Sequence, residues 1–451
     1  MSEDATLDKF VDSNESKEVE QPELIQGVAW STIEFLPDDW TVDDLESKIN
    51  ILSGKNFSSD YFVEEGGIPL IRIRDLAENE TTVNFEGDYD SKYLINQQDL
   101  LVGMDGEFEP HLWSGPQALL NQRVCKIEPE GGYNKIFFRY AIEKPLFYIQ
   151  KSIAGTTVKH LSQSNIKDLN LPTPPLPEQR KIATVLYTVD RAIEKTKKIL
   201  DQSQQIKKGV VQNLMTKGAH QHTSYEDYRL GPIDLTKPKE WDLRSFGEFS
   251  FRIQDGPHIT PDYVDEGIPF VSSQNVNPFG EEFDYSQYEK YISEGTYEDI
   301  NQNCRPEKGD LIISRRATIG PTQLIRHNDQ FGFFVGVAVI KTGDTVYNPF
   351  LEQLMNWSVM NKLWHLKSPG STMKTLNLGT IKDQKVPVPS IQEQKEIVEM
   401  IRSIDEVIAN NQRYKESLQY LKRGLQQDLL SGTVRTTDTN IEVPDEIAQH
   451  G

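Results

Sequence analysis

Basic residues grouped with hydroxyls and aromatics are the most chemically suggestive features of this sequence. They are Arg72, Arg74, Lys159 and His160 in the first half, and His258, Arg315, Arg316 and Lys374 in the second. Two segments, Gly155-Thr156-Thr157-Val158-Lys159 and Gly370-Ser371-Thr372-Met373-Lys374, each combine a glycine, hydroxyls and a lysine. A turn of that composition offers backbone N–H groups, the Thr157 or Thr372 hydroxyl and a cation, a set suited to phosphate oxygens. A solvated turn is the plainer alternative. Arg72, Arg74, Arg315 and Arg316 carry the planar fork that can pair with guanine edges, although a surface salt bridge is an equally common fate for arginine.

Catalytic chemistry finds less support. Asn277-Pro278-Phe279 and Asn348-Pro349-Phe350 partly resemble the loop with which amino-methyltransferases hold a target amine. Both lack its second proline, and no glycine-rich strand-to-helix turn for S-adenosylmethionine precedes either, so they read as turns. A metal-dependent nuclease needs clustered carboxylates with a lysine. Asp383-Gln384-Lys385 has the lysine, but its counterpart Asp168-Leu169-Asn170 does not. There is no phosphate-cradling Gly-Lys-Ser/Thr loop and no Gly-x-Ser-x-Gly. Cys125 and Cys304 do not occupy matching places in the two halves, which excludes a disulfide framework and a zinc knuckle. His220 and His222 form an H-x-H in a polar stretch without nearby ligands at metal spacing, so no metal is expected there. These residues are therefore given no catalytic role and no metal.

The formal charge of −21 argues at first against a nucleic-acid partner. Its distribution weakens that objection, because residues 1–46 and 436–451 together account for about −16 of it. No apolar run approaches the roughly 20 residues that span a bilayer. The acidic N-terminus does not read as a targeting signal. A soluble cytoplasmic protein is expected, with room in 451 residues for two or three domains.

The elements that must position these residues come in two copies. Gly155, Thr157, Lys159, Leu161, Asp168, Pro172, Pro174, Glu178, Gln179, Ile182, Asp190 and Leu214 recur at one constant offset. The second copies are Gly370, Thr372, Lys374, Leu376, Asp383, Pro387, Pro389, Glu393, Gln394, Ile397, Asp405 and Leu429. Upstream the match loosens: Trp40 pairs with Trp241, Gly67-Ile68-Pro69 with Gly267-Ile268-Pro269, and Asp99-Leu100-Leu101 with Asp310-Leu311-Ile312, at a drifting offset. Each unit thus has a variable front and a uniform back. The fronts mix short β-type runs with Gly, Pro and Asn punctuation, which predicts compact domains dominated by sheet.

Each back begins after a proline-rich exit, Pro172-Thr173-Pro174-Pro175 or Pro387-Val388-Pro389, and then runs without proline. Ile182, Val185, Val189, Ala192, Thr196, Ile199, Ile206 and Val210 fit a and d positions of a heptad. So do Ile397, Met400, Ile404, Val407, Tyr414, Leu418, Leu421 and Leu425. Helices of about 40 residues, reaching about 60 Å, follow. An apolar stripe that long fits a partner helix of equal length better than the face of one domain, and a linker of about 20 residues permits an antiparallel pair.

Several of these motifs together resemble a known family. Ile253-Gln254-Asp255-Gly256-Pro257-His258-Ile259-Thr260-Pro261-Asp262-Tyr263, then Gly267-Ile268-Pro269-Phe270 and Gly309-Asp310-Leu311-Ile312-Ile313-Ser314-Arg315, resemble the target-recognition domain of type I restriction-modification specificity subunits. Residues 99–108 and Ala118 to Cys125 resemble another variety of the same domain, and the Pro-x-Pro then Glu-Gln starts resemble the family's repeat helices.

The resemblance implies an α+β chain: two α/β target-recognition domains with mainly β cores, separated by two long helices that form an antiparallel coiled coil. The corresponding boundaries are an acidic disordered tail at 1–26, recognition domain 1 at 27–175 and a first repeat helix at 176–217. A linker at 218–238, recognition domain 2 at 239–390, a second repeat helix at 391–432 and a second acidic disordered tail at 433–451 complete it. It further implies binding of double-stranded DNA, each domain reading half of a split, asymmetric site. The chain would be non-catalytic and hold no cofactor; its partners would be two methyltransferase subunits, which would carry the S-adenosylmethionine, and motor-nuclease subunits. A related bipartite system with a fused methyltransferase-nuclease partner, and a coiled-coil scaffold that never touches DNA, are the alternative readings.

Overall fold

The computed structural model describes residues 36–153, 159–286, 289–302, 304–368 and 374–450. The expected tail at 1–26 lies outside them. The chain divides into two compact units, residues 1–195 with 415–451, and residues 196–414. Each unit therefore contains one front domain, the first half of one long helix and the second half of the other.

The repeat is explicit in the sheets. In the first unit a four-stranded sheet has the order Ile49–Ser53, Val124–Pro129, Leu100–Gly103, Pro110–Leu112. In the second, Ser250–Asp255, Val337–Thr342, Leu311–Ser314 and Thr322–Leu324 follow the same order. The Leu-Leu-Val-Gly and Leu-Ile-Ile-Ser strands are buried along their whole length, which is why they read as continuous apolar runs rather than alternating ones. The recurring Asp-Leu-Leu/Ile motif also has a structural explanation. Asp99 pairs with Lys126 at 3.0 Å, and Asp310 pairs with Lys341 at 2.5 Å, each joining adjacent strands.

A second sheet accompanies each. In the first unit it has five strands and includes the parallel pair Ile68–Ile71 and Ala118–Leu120; in the second it has three and includes the parallel pair Ile268–Val271 and Gly332–Phe333. The proline-rich exits are strands too. Asn170–Thr173 pairs with Thr41–Asp44, and Lys385–Val388 pairs with Asp242–Ser245, both antiparallel. Each strand pair delivers the chain into a long helix, Leu176–Lys217 or Ile391–Leu430.

The Glu-Gln at each helix start anchors it. Gln179 Oε1 accepts the Asn134 N–H at 2.8 Å, and Gln394 Oε1 accepts the Tyr347 N–H at 2.7 Å. These bonds tie the helix to the first turn of Lys135–Ser152 and of Asn348–Asn356. Glu178, 2% exposed, accepts the Trp40 indole N–H at 3.0 Å, the Thr436 N–H at 3.1 Å and the Arg435 guanidinium on both oxygens at 2.8 and 2.9 Å. Glu393, 3% exposed, accepts the Trp241 indole at 2.8 Å, the Ala219 N–H at 3.1 Å and His222 Nε2 at 2.8 Å. In both units the start of one long helix is thus knotted to the segment that follows the end of the other.

Three expectations are corrected. A run of buried and half-buried positions spaced by four and three is Ile182, Leu186, Val189, Ile193, Thr196, Leu200, Ser203, Lys207, Val210 and Leu214 in one helix, where Val185 and Ala192 are half-buried as well. In the other it is Ile397, Ile401, Ile404, Ile408, Asn411, Lys415, Leu418, Lys422 and Leu425. The alternation of four and three is a heptad, but in a frame shifted at every second position from the one read by apolar content. Ile199, Ile206, Met400, Val407, Tyr414 and Leu421 are exposed. The true frame hides because it contains charges that are paired: Lys207 meets Asp405 at 2.6 Å in one unit, and Lys422 meets Asp190 at 2.8 Å in the other. These are the same two repeat positions in each unit.

The expected linker at 218–238 contains an antiparallel hairpin, Tyr225–Leu230 with Ile233–Pro238. Its Tyr228 and Leu230 are buried in the second unit's core. The expected disordered tail at 433–451 is folded on the first unit. Ile447 is fully buried, Val443 packs beside it, and Lys181 donates to the carbonyls of Thr436, Thr437 and Thr439. Acidic composition concealed these apolar and cationic anchors.

Alanine in place of Glu178 removes the acceptor shared by Arg435, Trp40 and Thr436. Urea denaturation of the full chain is expected to show a loss of about 3 kcal/mol; a change below about 0.5 kcal/mol would contradict the knot. Burial pushes the Glu178 carboxyl up, but Arg435, the Thr436 N–H and the Trp40 indole outweigh it and hold the group below its usual 4.5. Its stabilisation is therefore complete above pH 4.5 and disappears as the pH falls through the depressed value. Acid titration of Glu178→Gln is expected to lack that component.

Candidate nucleic-acid interface

In the first unit the strand Leu100–Gly103 continues through Met104 to Asp105, which forms a β-bridge with His160. The backbone frame is tight: Leu161 N–H donates to Met104 O at 2.7 Å, Met104 N–H to Arg123 O at 2.8 Å and Gly106 N–H to Lys159 O at 3.0 Å. On it, the Asp105 carboxylate meets His160 Nδ1 at 2.7 Å and Arg123 Nε at 3.5 Å. Arg123 has φ 70°, a left-handed backbone that a side-chain-bearing residue keeps only where its surroundings enforce it. The Arg72 to Asp75 turn lies alongside, since a Cβ on Gly103 would stand 3.3 Å from Ile73.

The second unit builds the same frame with different side chains. Leu311–Ser314 leads into Arg315, whose carbonyl accepts the Leu376 N–H at 2.9 Å, and into Arg316, which forms the bridge with Thr375. Arg315 is 5% exposed and its fork is occupied within the protein. It donates to Leu376 O at 2.9 Å and Val335 O at 3.2 Å and pairs with Asp255. Burial pulls its guanidinium below the usual arginine value, and Asp255 opposes that. Asp255 also stands 3.3 Å from the exposed His258. Arg316 differs: its Nε is enclosed and has no partner among the described residues.

Of the residues singled out by type and spacing, Lys159 and His160 come together in the first unit, and Arg315, Arg316, Lys374 and His258 in the second. Lys159 Nζ donates to the Gln150 carbonyl, while His160, His258 and Lys374 are exposed. Arg72 pairs with Asp75 at 3.3 Å and also donates to Thr82, whereas Arg74 is exposed. Thr157 and Thr372 lie outside the described residues. Sequence reasoning missed Arg123, Asp105 and Asp255. Arg123 sits in the Ala118 to Cys125 motif, but its pairing with Asp105 depends on the register of the β-ladder.

Asn348 is the first residue of its helix and its side chain donates to Gly309 O at 2.6 Å, and Phe350 is fully buried, so that Asn-Pro-Phe is a helix start. Cys125 and Cys304 are buried and free, and burial pushes the Cys125 thiol up to about 12. No helix among the described residues is long and apolar enough to cross a membrane.

The family model described as the type I restriction modification DNA specificity domain matches residues 37–203 and 238–420. The chain belongs to this family. It is a type I specificity subunit, a DNA-recognition chain rather than a catalytic one. Similar proteins include the specificity subunit of the Escherichia coli type I restriction enzyme EcoBI, 31% identical over 380 residues, covering 81% of this chain and 79% of that one. The MjaVIII specificity subunit of Methanocaldococcus jannaschii is 23% identical over 415 residues, covering 90% and 95%. Among solved structures, the S subunit of a type I restriction-modification system from M. genitalium shares the fold. Its TM-score is 0.54 at 14% identity, over 87% of this specificity subunit and 96% of that chain. A chain from a structure describing assembly and conformational transition of the type I system gives 0.52 at 16%, over 89% and 100%.

The two arginines of the second face separate experimentally. Arg315→Ala leaves Asp255 without its buried partner and is expected to cost the specificity subunit about 3 kcal/mol of stability. Arg316→Ala is expected to stay within about 0.5 kcal/mol in the same melt and to weaken duplex DNA binding. Equal stability losses would contradict the division.

Proposed function

We propose that each front domain reads one half of an asymmetric bipartite duplex site. The two long helices pair as an antiparallel coiled coil, fix the unread gap and carry two methyltransferase subunits. Motor-nuclease subunits join that complex in the cytoplasm, and S-adenosylmethionine stays on the methyltransferases. Arg74, Thr157, Lys159, His160, His258, Arg316, Thr372 and Lys374 supply the DNA contacts, while Arg72 and Arg315 position the surfaces that carry them.

The observation behind the asymmetric site is the pair of equivalent faces. One backbone frame presents Asp105 and His160 with Arg123 in the first unit, and Arg316 with Thr375 in the second. An acid at the end of the strand in one unit is an arginine in the other. Two such surfaces cannot prefer the same donor and acceptor pattern in a groove. The observation behind the paired helices is that Lys207 meets Asp405 and Lys422 meets Asp190, the same repeat positions each time.

Mapping methylated adenines in a host that carries this subunit with its methyltransferase is expected to return a split motif with two unlike halves. A palindromic or uninterrupted motif would overturn the proposal. In the reconstituted complex, Lys374→Ala is expected to lower the slope of log affinity against log salt by about 1 without changing which sequence is preferred.

A further inference from the structure

The knot at the second long helix contains a group of ligands that the knot at the first lacks. At the first, Arg435 bridges Glu178 at 2.8 Å and Asp39 at 2.6 Å, and Lys181 donates to the carbonyls of the segment that follows. At the equivalent repeat positions of the second unit, Asp39 is Glu240, Glu178 is Glu393 and Lys181 is Glu396. Three carboxylates stand there, and no lysine or arginine pairs with them among the described residues. In place of the cations are two imidazoles. His222 meets Glu393 with Nε2 at 2.8 Å and Glu240 with Nδ1 at 3.4 Å, and His220 meets Glu396 with Nδ1 at 3.5 Å.

We propose that His220, His222 and Glu393, with Glu396 as a fourth ligand, bind one divalent transition-metal ion of the zinc class. The ion fastens the segment after the first long helix to the start of the second. Ligand atoms of His220, His222 and Glu393 all lie within 4.8 Å of one another, and the two rings stack at 4.6 Å. Tetrahedral zinc with N and O ligands separates its donors by roughly 3.3 Å, a closure that the exposed His220 side chain can supply.

The surroundings are those of a ligand set. The Nδ1 of His222 faces the Glu240 carboxylate, itself held by Thr223 at 3.0 Å, which leaves Nε2 as the metal-binding nitrogen. Glu393 is oriented through its other oxygen by the Trp241 indole at 2.8 Å. Gly218, at φ +86°, admits the approach, because a Cβ there would lie 2.3 Å from Glu393 Oε1. Two imidazoles with carboxylates favour zinc and its cobalt and nickel analogues over magnesium or calcium. The charge fits as well: a divalent ion offsets the carboxylate excess that Arg435 and Lys181 offset in the first unit.

The test uses the full-length chain, stripped with a chelator and dialysed, then titrated calorimetrically with Zn²⁺ and spectroscopically with Co²⁺. One equivalent is expected to bind, the Co²⁺ form to show the visible bands of a four-coordinate site, and Zn²⁺ to raise the melting temperature. His220→Ala, at an exposed position, and Glu396→Gln, which keeps the shape of the side chain, are each expected to weaken Zn²⁺ binding by about tenfold or more. His365→Ala, an exposed histidine elsewhere in the unit, is expected to leave it unchanged. The proposal is overturned if no stoichiometric Zn²⁺ binds. It is equally overturned if binding survives both ligand substitutions.

Discussion

The architecture depends on a buried carboxylate at the start of each long helix. Glu178 and Glu393 are almost wholly enclosed, and a buried charge is tolerated only when it is paired and hydrogen-bonded. Each satisfies that demand with a tryptophan indole from the front domain and with donors from the segment that follows the other helix. One side chain therefore joins three parts of a unit: the domain core, the start of its own helix and the end of the other. A helix start without these partners would leave a charge stranded, so the pairing selects the arrangement as well as stabilising it.

This constraint explains where the chain is allowed to vary. Residues that tie the knot or the helix seam, such as Trp40 and Trp241, the Glu-Gln pairs, and the lysines and aspartates that meet across the helices, recur between the halves. The faces beyond the ends of Leu100–Gly103 and Leu311–Ser314 keep their backbone bridges and change their side chains. A bridge is a main-chain bond and is indifferent to the side chain it presents, so Asp105 can stand where the other unit has Arg316. Architecture and recognition are thereby separated at the level of individual residues.

Much of this was legible in the sequence. The constant offset located both long helices and their proline-rich entries, because proline punctuation and the loss of helix breakers are local signals. The sheet-rich fronts were legible in outline. The heptad frame is hidden in the sequence because Lys207 and Lys422 occupy seam positions, and a lysine looks like surface until its aspartate partner on the other helix is in view. The C-terminal segment is hidden for the same kind of reason: its composition is acidic, whereas its order comes from Ile447 in the core and from Lys181 on a distant helix. At the candidate faces, Lys159, Arg316 and Lys374 could be chosen by type, but Arg123 with Asp105 and Arg315 with Asp255 are long-range pairs that no spacing reveals.

The central claim is that the two fronts read independently while the backs set the spacing. Replacing residues 239–390 with the corresponding domain of another specificity subunit, then mapping adenine methylation, tests it most directly. The account predicts a motif whose first half and gap length are unchanged and whose second half is that of the donor. A motif altered in both halves, or in its gap, would contradict it.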